Sequence, residues 1–307
     1  MQIIRSLSEL APKARRFCLA IGFFDGVHLG HQQVIRQTIA DARQHEGAAL
    51  VITFDRHPNV VVAPERVPRL IYSVPQKLRA IAATGADCLL LIHFDETFSL
   101  QSGETFVRSL AREPGRIQSL CVGANFVFGH KRSGNVDLLK TLGRELQFTV
   151  HGLAAVSLDG KAVSSTRIRE AIAAGDLDLA SQMLGRSYSL AGTVIRGDQL
   201  GHKLGFPTAN IEVEGLVLPP RGVYAAHAQA AGETYRSAVN IGTRPTLNDP
   251  APRIHVEAHL LDFKGDLYGQ ELELTFIDKL RDEQKFPSLS ALQKQIQLDI
   301  ERARSLF

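Results

Sequence analysis

Four short apolar runs, FCLAIGFF (17–24), AALVITF (48–54), CLLLIHF (88–94) and IQSLCV (117–122), alternate with helical patterns such as His31 to Gln44 and Gln76 to Ala83. Runs that short and apolar throughout read as strands buried on both faces. Strand, helix, strand order then dictates βαβ units and a parallel sheet, with ligands bound beyond the carboxyl ends of its strands. Helical patterns continue from Ser165 to Ala174 and from Leu177 to Leu184, and the character changes at Gly185. From Tyr188 onward, β-rich stretches at 189–195, 222–229, 234–240, 253–261 and 271–277 are separated by Gly and Pro turns, the pattern of an antiparallel barrel or sandwich. A closing helix is expected to start near Ser288 or Ser290, with Ser290 and Gln293 as a capping box. Leu292, Ile296, Ile300 and Ala303 supply its apolar stripe. At 307 residues the chain exceeds one ordinary core, so two domains are expected, 1–186 and 187–307.

Composition narrows the function classes. The net charge is only +3 and no run of five like charges occurs, which argues against nucleic acid or an anionic membrane surface as partner. No stretch approaches the roughly eighteen apolar residues of a membrane span. The three cysteines, Cys18, Cys88 and Cys121, sit far apart in or beside apolar runs, so buried free thiols are expected, as in a cytoplasmic protein. Lys13, Arg15 and Arg16 before the first run imitate a secretion signal. Asp25 and the lack of a small-residue cleavage pattern argue against one. Oligomeric state is left open.

GFFDGVHLGH (22–31) leads from the first of those strands into a helix. Free backbone N–H groups and the helix dipole at such an entrance favour phosphate, and Gly22, Gly26 and Gly30 let the backbone approach it. His28 and His31 are then candidate donors to the charge that develops on an α-phosphorus during nucleotidyl transfer. An isolated HxxH would more often be a metal pair or a core histidine. The strand, glycine turn and helix order favours phosphate, and no third ligand nearby completes a metal set. Ser165, Thr166 and Arg169, at the start of a helix, offer hydroxyls and a guanidinium fork to a pyrophosphate, where the plainer reading is an N-cap and a solvated helix face. Thr208 and Asn210, two apart after Pro207, place two side-chain oxygens on one face of an extended strand, suited to a hard cation bridging phosphates. Gly197, Gly201 and Gly205 suggest a loop that covers phosphate. Of Phe54, Phe126 and Phe128, which could stack on a flat heterocycle, Phe128 is the candidate.

The strings GFFDGVHLGH, TFDRHP (53–58), VGANFVFGHKRSGN (122–135) and AVSSTRIREAI (162–172) resemble the adenylyltransferase half of the bacterial bifunctional riboflavin kinase/FMN adenylyltransferase family. GTVIRGDQLGHKLGFPTANI (192–211), NIGTRPTLN (240–248) and VEAHLLDFKGDLYGQ (256–270) resemble its riboflavin kinase half. The resemblance implies an α/β nucleotidylyltransferase-type parallel-sheet domain followed by a C-terminal antiparallel β-barrel domain with a terminal helix. It implies that the barrel phosphorylates riboflavin to FMN with ATP, and that the first domain adenylylates FMN to FAD with release of pyrophosphate, Mg2+ serving both. It further implies that the turn holding Gly22, Phe24, Asp25, Gly26 and Gly30, with His28 and His31, contacts ATP phosphates, and that Asn125 and Phe128 hold flavin. Ser165, Thr166 and Arg169 would close on the phosphates, Gly197 and Gly205 would cover ATP, and Thr208 and Asn210 would hold the metal. Glu257 becomes the general base, although its place in the alternating run Arg253 to Leu261 is otherwise that of a solvated strand residue. Family members carry a basic residue where Ala162 stands, with Lys161 one place earlier here, and often an arginine at His202. The alternatives are an HxGH nucleotidylyltransferase for another acceptor, which has no need of the second domain, and a flavin- or nucleic-acid-binding regulator, which the missing basic stripe disfavours.

Overall fold

The computed structural model describes residues 1–9, 16–112, 116–197, 201, 204–243 and 254–307. Contacts group them into two units, Met1–Arg69 with Val74–Ser165, and Leu70–Ser73 with Thr166–Phe307.

The first unit is built on a six-stranded sheet of β1 (Gln2–Ile4), β2 (Arg16–Ile21), β3 (Ala48–Phe54), β4 (Cys88–Ile92), β5 (Arg116–Gly123) and β6 (Thr149–Leu153), in spatial order β1-β4-β3-β2-β5-β6. Every adjacent pair is parallel. The helices α1 (Leu29–Gln44), α2 (Val74–Ala82), α3 (Gly103–Arg112) and α4 (Val136–Leu146) lie between the strands in sequence. Period-two alternation sorts β2 onto both faces. Phe17, Leu19 and Ile21 enter one core with Phe106 and Leu139, while Ala20 enters another with Ile35 and Leu89. The run at 17–24 is therefore a central strand, as its apolar character requires, but not the first; the short β1 precedes it on the edge.

The chain runs from β2 outward through β3 to β4, then crosses back to place β5 on the other side of β2. That reversal makes the carboxyl ends of β2 and β5 the crevice where such sheets bind ligands.

The second unit contains α5 (Ser165–Ala174, from its second residue on), α6 (Leu177–Leu184) and a closed barrel. Its strands are β7 (Ser189–Ile195), β8 (Ala209–Ile211), β9 (Gly222–Ala230), β10 (Glu233–Thr243), β11 (Ile254–Leu260) and β12 (Glu271–Arg281). They close in the order β7-β8-β11-β10-β9-β12, all pairs antiparallel. The expected barrel or sandwich is thus a barrel, which removes the exposed edges an open sheet would leave. Leu70–Ser73 joins this unit, with Leu70 bridging Leu216 and with Ile71 and Tyr72 buried. The terminal helix α7 (Leu289–Ser305) is capped by Ser288, whose hydroxyl accepts the Ala291 N–H at 3.2 Å, and not by the expected Ser290 box. Asp299 of α7 takes the Arg281 guanidinium at the end of β12 through Nε and Nη2, at 2.9 and 2.7 Å. Ala303 packs on Val223, Ala225 and Leu280.

Candidate active sites

TFDRHP, GFFDGVHLGH and VGAN leave the carboxyl ends of three adjacent strands, β3, β2 and β5. After β2 the backbone makes a tight turn, with Phe24 (φ 56), Gly26 (φ 72) and Val27 (φ 42) in the left-handed region. Such a conformation costs a non-glycine residue of order 1–3 kcal/mol and persists only where the surroundings enforce it. Here burial enforces it, since Phe24 is 2% exposed and Val27 is fully buried. Gly22 is required by packing, because a Cβ there would fall 2.9 Å from the Phe24 ring.

His28 is the N-cap of α1, its Nδ1 accepting the His31 N–H at 3.4 Å. The two imidazoles stack with centroids 3.6 Å apart, and the Phe24 ring stands edge-on to His31 at 5.2 Å. Gly30 leaves room for this pair, a Cβ there falling 3.2 Å from the His28 ring. His31 Nδ1 is buried without a hydrogen-bond partner among the described residues. Burial, then His28, then Lys77, push the His31 pKa well below its ordinary value, so the ring is neutral at neutral pH. A depressed folded-state pKa means the unfolded chain binds more protons in acid, so this contribution to stability is full above the ordinary histidine pKa and is lost as pH falls below it. Denaturant unfolding at pH 7 and pH 5 should show less loss of stability on acidification in His31→Gln than in the parent.

Asp25 is 3% exposed, and its carbonyl accepts the Ser165 hydroxyl at 3.2 Å, which brings the first hydroxyl of α5 to the turn. Thr166 is exposed on the first turn of α5, and Arg169 is half-buried one turn on, beside the buried Ile168. Lys161 and Ala162 are exposed in a short hairpin paired with Leu158 and Ser157. Asn125 is exposed in the turn after β5. Phe128 lies in a two-residue strand paired with Gly134 and stacks on Phe126, centroids 5.2 Å apart. It also packs half-buried against the sheet core, in a seat that Gly134 keeps open.

Sequence reasoning missed Lys77 on α2, which no motif marks. It is 2% exposed, and its Nζ donates to the carbonyls of Phe54 at 2.7 Å and Phe23 at 3.2 Å. Burial lowers its pKa to about 8, against the opposing pull of Asp25 and Asp55.

In the barrel, Val256, Ala258 and Leu260 of β11 are buried, and Glu257 faces the other way, half-buried. That outer face is not open solvent. Glu257, Thr208 and His259 line a cavity of about 240 Å³ together with Leu292 and Ile296 of α7. Asn210 on β8 is the direct cross-strand partner of Glu257. Thr208 precedes β8, and the carbonyl of Pro207 accepts from His259 Nδ1 at 2.7 Å, which fixes this turn against β11. A Cβ on Gly197 would fall 2.4 Å from the Asn210 amide, and one on Gly201 3.1 Å from Thr208 Oγ1, so the backbone at these two glycines lies directly against both side chains. Gly205 is exposed at φ 87. His202, Arg253 and residues 244–248 of the NIGTRPTLN string lie outside the described residues. No group of three His, Cys, Asp or Glu able to hold a metal occurs among the described residues. The hydroxyl and amide oxygens of Thr208 and Asn210, opposite a carboxylate, still suit a hard cation that draws its other ligands from phosphate and water.

Fold and sites together are those of an ATP-dependent transferase with two catalytic regions. The family model for FAD synthetase matches residues 10–167, and the model for riboflavin kinase matches 184–307. Over the whole chain, the sequence is 38% identical to the bifunctional riboflavin kinase/FMN adenylyltransferase of Pseudomonas fluorescens, covering 98% of that protein. It is 36% identical to the Haemophilus influenzae enzyme, covering 99%. The crystal structure of a protein described as a macrolide-efflux protein from Streptococcus pneumoniae shares the fold, with a TM-score of 0.80 and 25% identity over 98% of both chains. No helix among the described residues is long and apolar enough to cross a membrane. The chain belongs to the bifunctional riboflavin kinase/FMN adenylyltransferase family, with its FAD synthetase region N-terminal and its riboflavin kinase region C-terminal.

Proposed function

We propose that residues 1–186 adenylylate FMN at the His28–His31 turn and that residues 187–307 phosphorylate riboflavin at the Glu257 cavity. The observation that carries this reading is the stacked histidine pair at the α1 N-terminus, placed where the sheet order reverses. The His28 and His31 imidazoles and the positive end of the α1 dipole there stabilise the equatorial oxygens of the α-phosphorus as an FMN phosphate oxygen attacks and pyrophosphate leaves. Gly22, Phe24, Asp25, Gly26 and Gly30 shape that turn, Ser165, Thr166 and Arg169 hold the departing pyrophosphate, and Asn125 and Phe128 hold the flavin.

In the barrel, Glu257 takes the proton of the ribityl hydroxyl, whose oxygen attacks the γ-phosphorus while ADP leaves. Gly197 and Gly205 cover the phosphates. Thr208 and Asn210 would hold Mg2+, which when bound neutralises charge on the transferring phosphoryl group. Riboflavin, FMN, FAD and ATP are the partners. The buried thiols of Cys18, Cys88 and Cys121, none of them in a disulfide, support a reducing, cytoplasmic setting. Incubating purified protein with riboflavin, ATP and Mg2+ and separating the flavins over time tests the reading. FMN should appear first and FAD second, and a time course without FMN, or with FMN that never proceeds to FAD, would overturn it.

A further inference from the structure

Lys77 is an amine buried under the adenylylation turn. Buried lysines are rare because desolvation opposes the ammonium, so a chain that keeps one has arranged its surroundings around it. Two of its N–H bonds are directed at carbonyls, those of Phe23 in the turn and Phe54 at the end of β3. The Phe23 carbonyl also accepts the Thr53 hydroxyl at 3.0 Å, and the Phe23 ring lies 4.2 Å from Nζ. One amine thus ties the carboxyl ends of β2 and β3 together from below. A neutral side chain of similar shape could fill the space, but it could neither donate to both carbonyls nor carry charge.

We propose that Lys77 is a positioning residue for FMN adenylylation, the fixed cation that pins the Phe23 turn and keeps His31 uncharged until polyphosphate arrives. The proposal rests on the reading that adenylyl transfer occurs at that turn. Its electrostatic half follows from the groups around the amine. Asp25 and Asp55 attract the ammonium, and beyond Asp55 stand His93, 2.5 Å from that carboxylate, and Arg56. His31 on α1 feels the ammonium as repulsion, which adds to that of His28 and disfavours a second positive charge. An incoming polyphosphate favours the cation it meets, so binding reinforces the charge on Lys77. The free enzyme loses this charge near pH 8, the value to which burial lowers the amine.

The test uses the full chain and three proteins: the parent, Lys77→Met, which keeps the length of the stem, and Lys77→Arg, which keeps the charge at all accessible pH. FAD formation from FMN and ATP is measured from pH 6.5 to 9.5, with conversion of riboflavin to FMN in the same preparations reporting an intact chain. Lys77→Met should lower kcat/KM for FAD formation by about tenfold or more. The parent should show an alkaline fall in kcat/KM near pH 8, since that ratio reports groups of the free enzyme, and Lys77→Arg should lack that fall. A simple packing role would move neither limb of the profile. Full activity in Lys77→Met, or an alkaline fall that persists in Lys77→Arg, would overturn the proposal; the arginine profile decides the matter even if the methionine variant does not fold. A parent that makes FMN but no FAD at any pH would remove the adenylylation reading itself, before any variant is compared.

Discussion

Glu257→Gln should lower riboflavin phosphorylation by about a hundred- to ten-thousandfold, the range expected when a general base is removed. Glutamine keeps the size of the side chain and its ability to hydrogen bond, so the β11 register with Asn210 and the shape of the cavity should survive. What disappears is the oxygen that accepts a proton. The loss should therefore fall on kcat, with KM for riboflavin little changed, because an interaction made only in the transition state is the one removed. FAD formation from supplied FMN should be unaffected in the same protein. A variant with full kinase activity would make Glu257 an ordinary outward-facing strand residue.

That plainer reading is what the alternating pattern of β11 alone supports, and the structure shows why pattern was insufficient. Val256, Ala258 and Leu260 face the barrel interior as the alternation requires, but α7 covers the opposite face and encloses Glu257. Periodicity reports which side of a strand is apolar; it does not report what a helix more than thirty residues later will place over the other side. The stripe Leu292, Ile296, Ile300 and Ala303 was legible as apolar, and Ala303 does seat on the barrel. Its first three members instead line the cavity. Ser288 took the cap from Ser290 because the helix begins at Leu289, two residues earlier than a capping box at Ser290 would allow.

The long strands were legible because those of the sheet carry runs of buried apolar residues and those of the barrel alternate buried with less buried ones. β1, of three residues, and β6, with Thr149 and Gly152 in its five, are too short or too polar to announce themselves, and pairing with longer neighbours holds them in place. Lys77 was invisible for another reason. In Val74–Ala82 it reads as a solvated helix residue, and only tertiary packing against the ends of β2 and β3 reveals that the charge is inside. The strap Leu70–Ser73 likewise has no sequence signal of joining the unit that begins at Thr166. Motifs were the reverse case. GFFDGVHLGH and GTVIRGDQLGHKLGFPTANI carry their backbone demands in the string itself, through Gly22 and Gly197, where a Cβ would run into the Phe24 ring and the Asn210 amide.

Changing His28 or His31 to alanine should slow FAD formation by about a hundredfold or more, as expected for loss of a donor aimed at transition-state charge. The two losses should not add. The rings stack at 3.6 Å and the His31 N–H bonds to His28 Nδ1, so removing either imidazole disturbs the other, and the double variant should be little worse than the more damaging single one. His28 carries a second duty as the cap of α1, whose loss alone costs about 0.5–2 kcal/mol of stability. His28→Asn separates the two, because asparagine caps a helix well and lacks the imidazole. It should restore the unfolding temperature lost in His28→Ala while leaving FAD formation slow. Riboflavin phosphorylation should proceed in all four proteins. Recovery of FAD formation by His28→Asn would assign His28 to the helix rather than to the phosphate, and undiminished FAD formation in the double alanine variant would remove the pair from the reaction altogether.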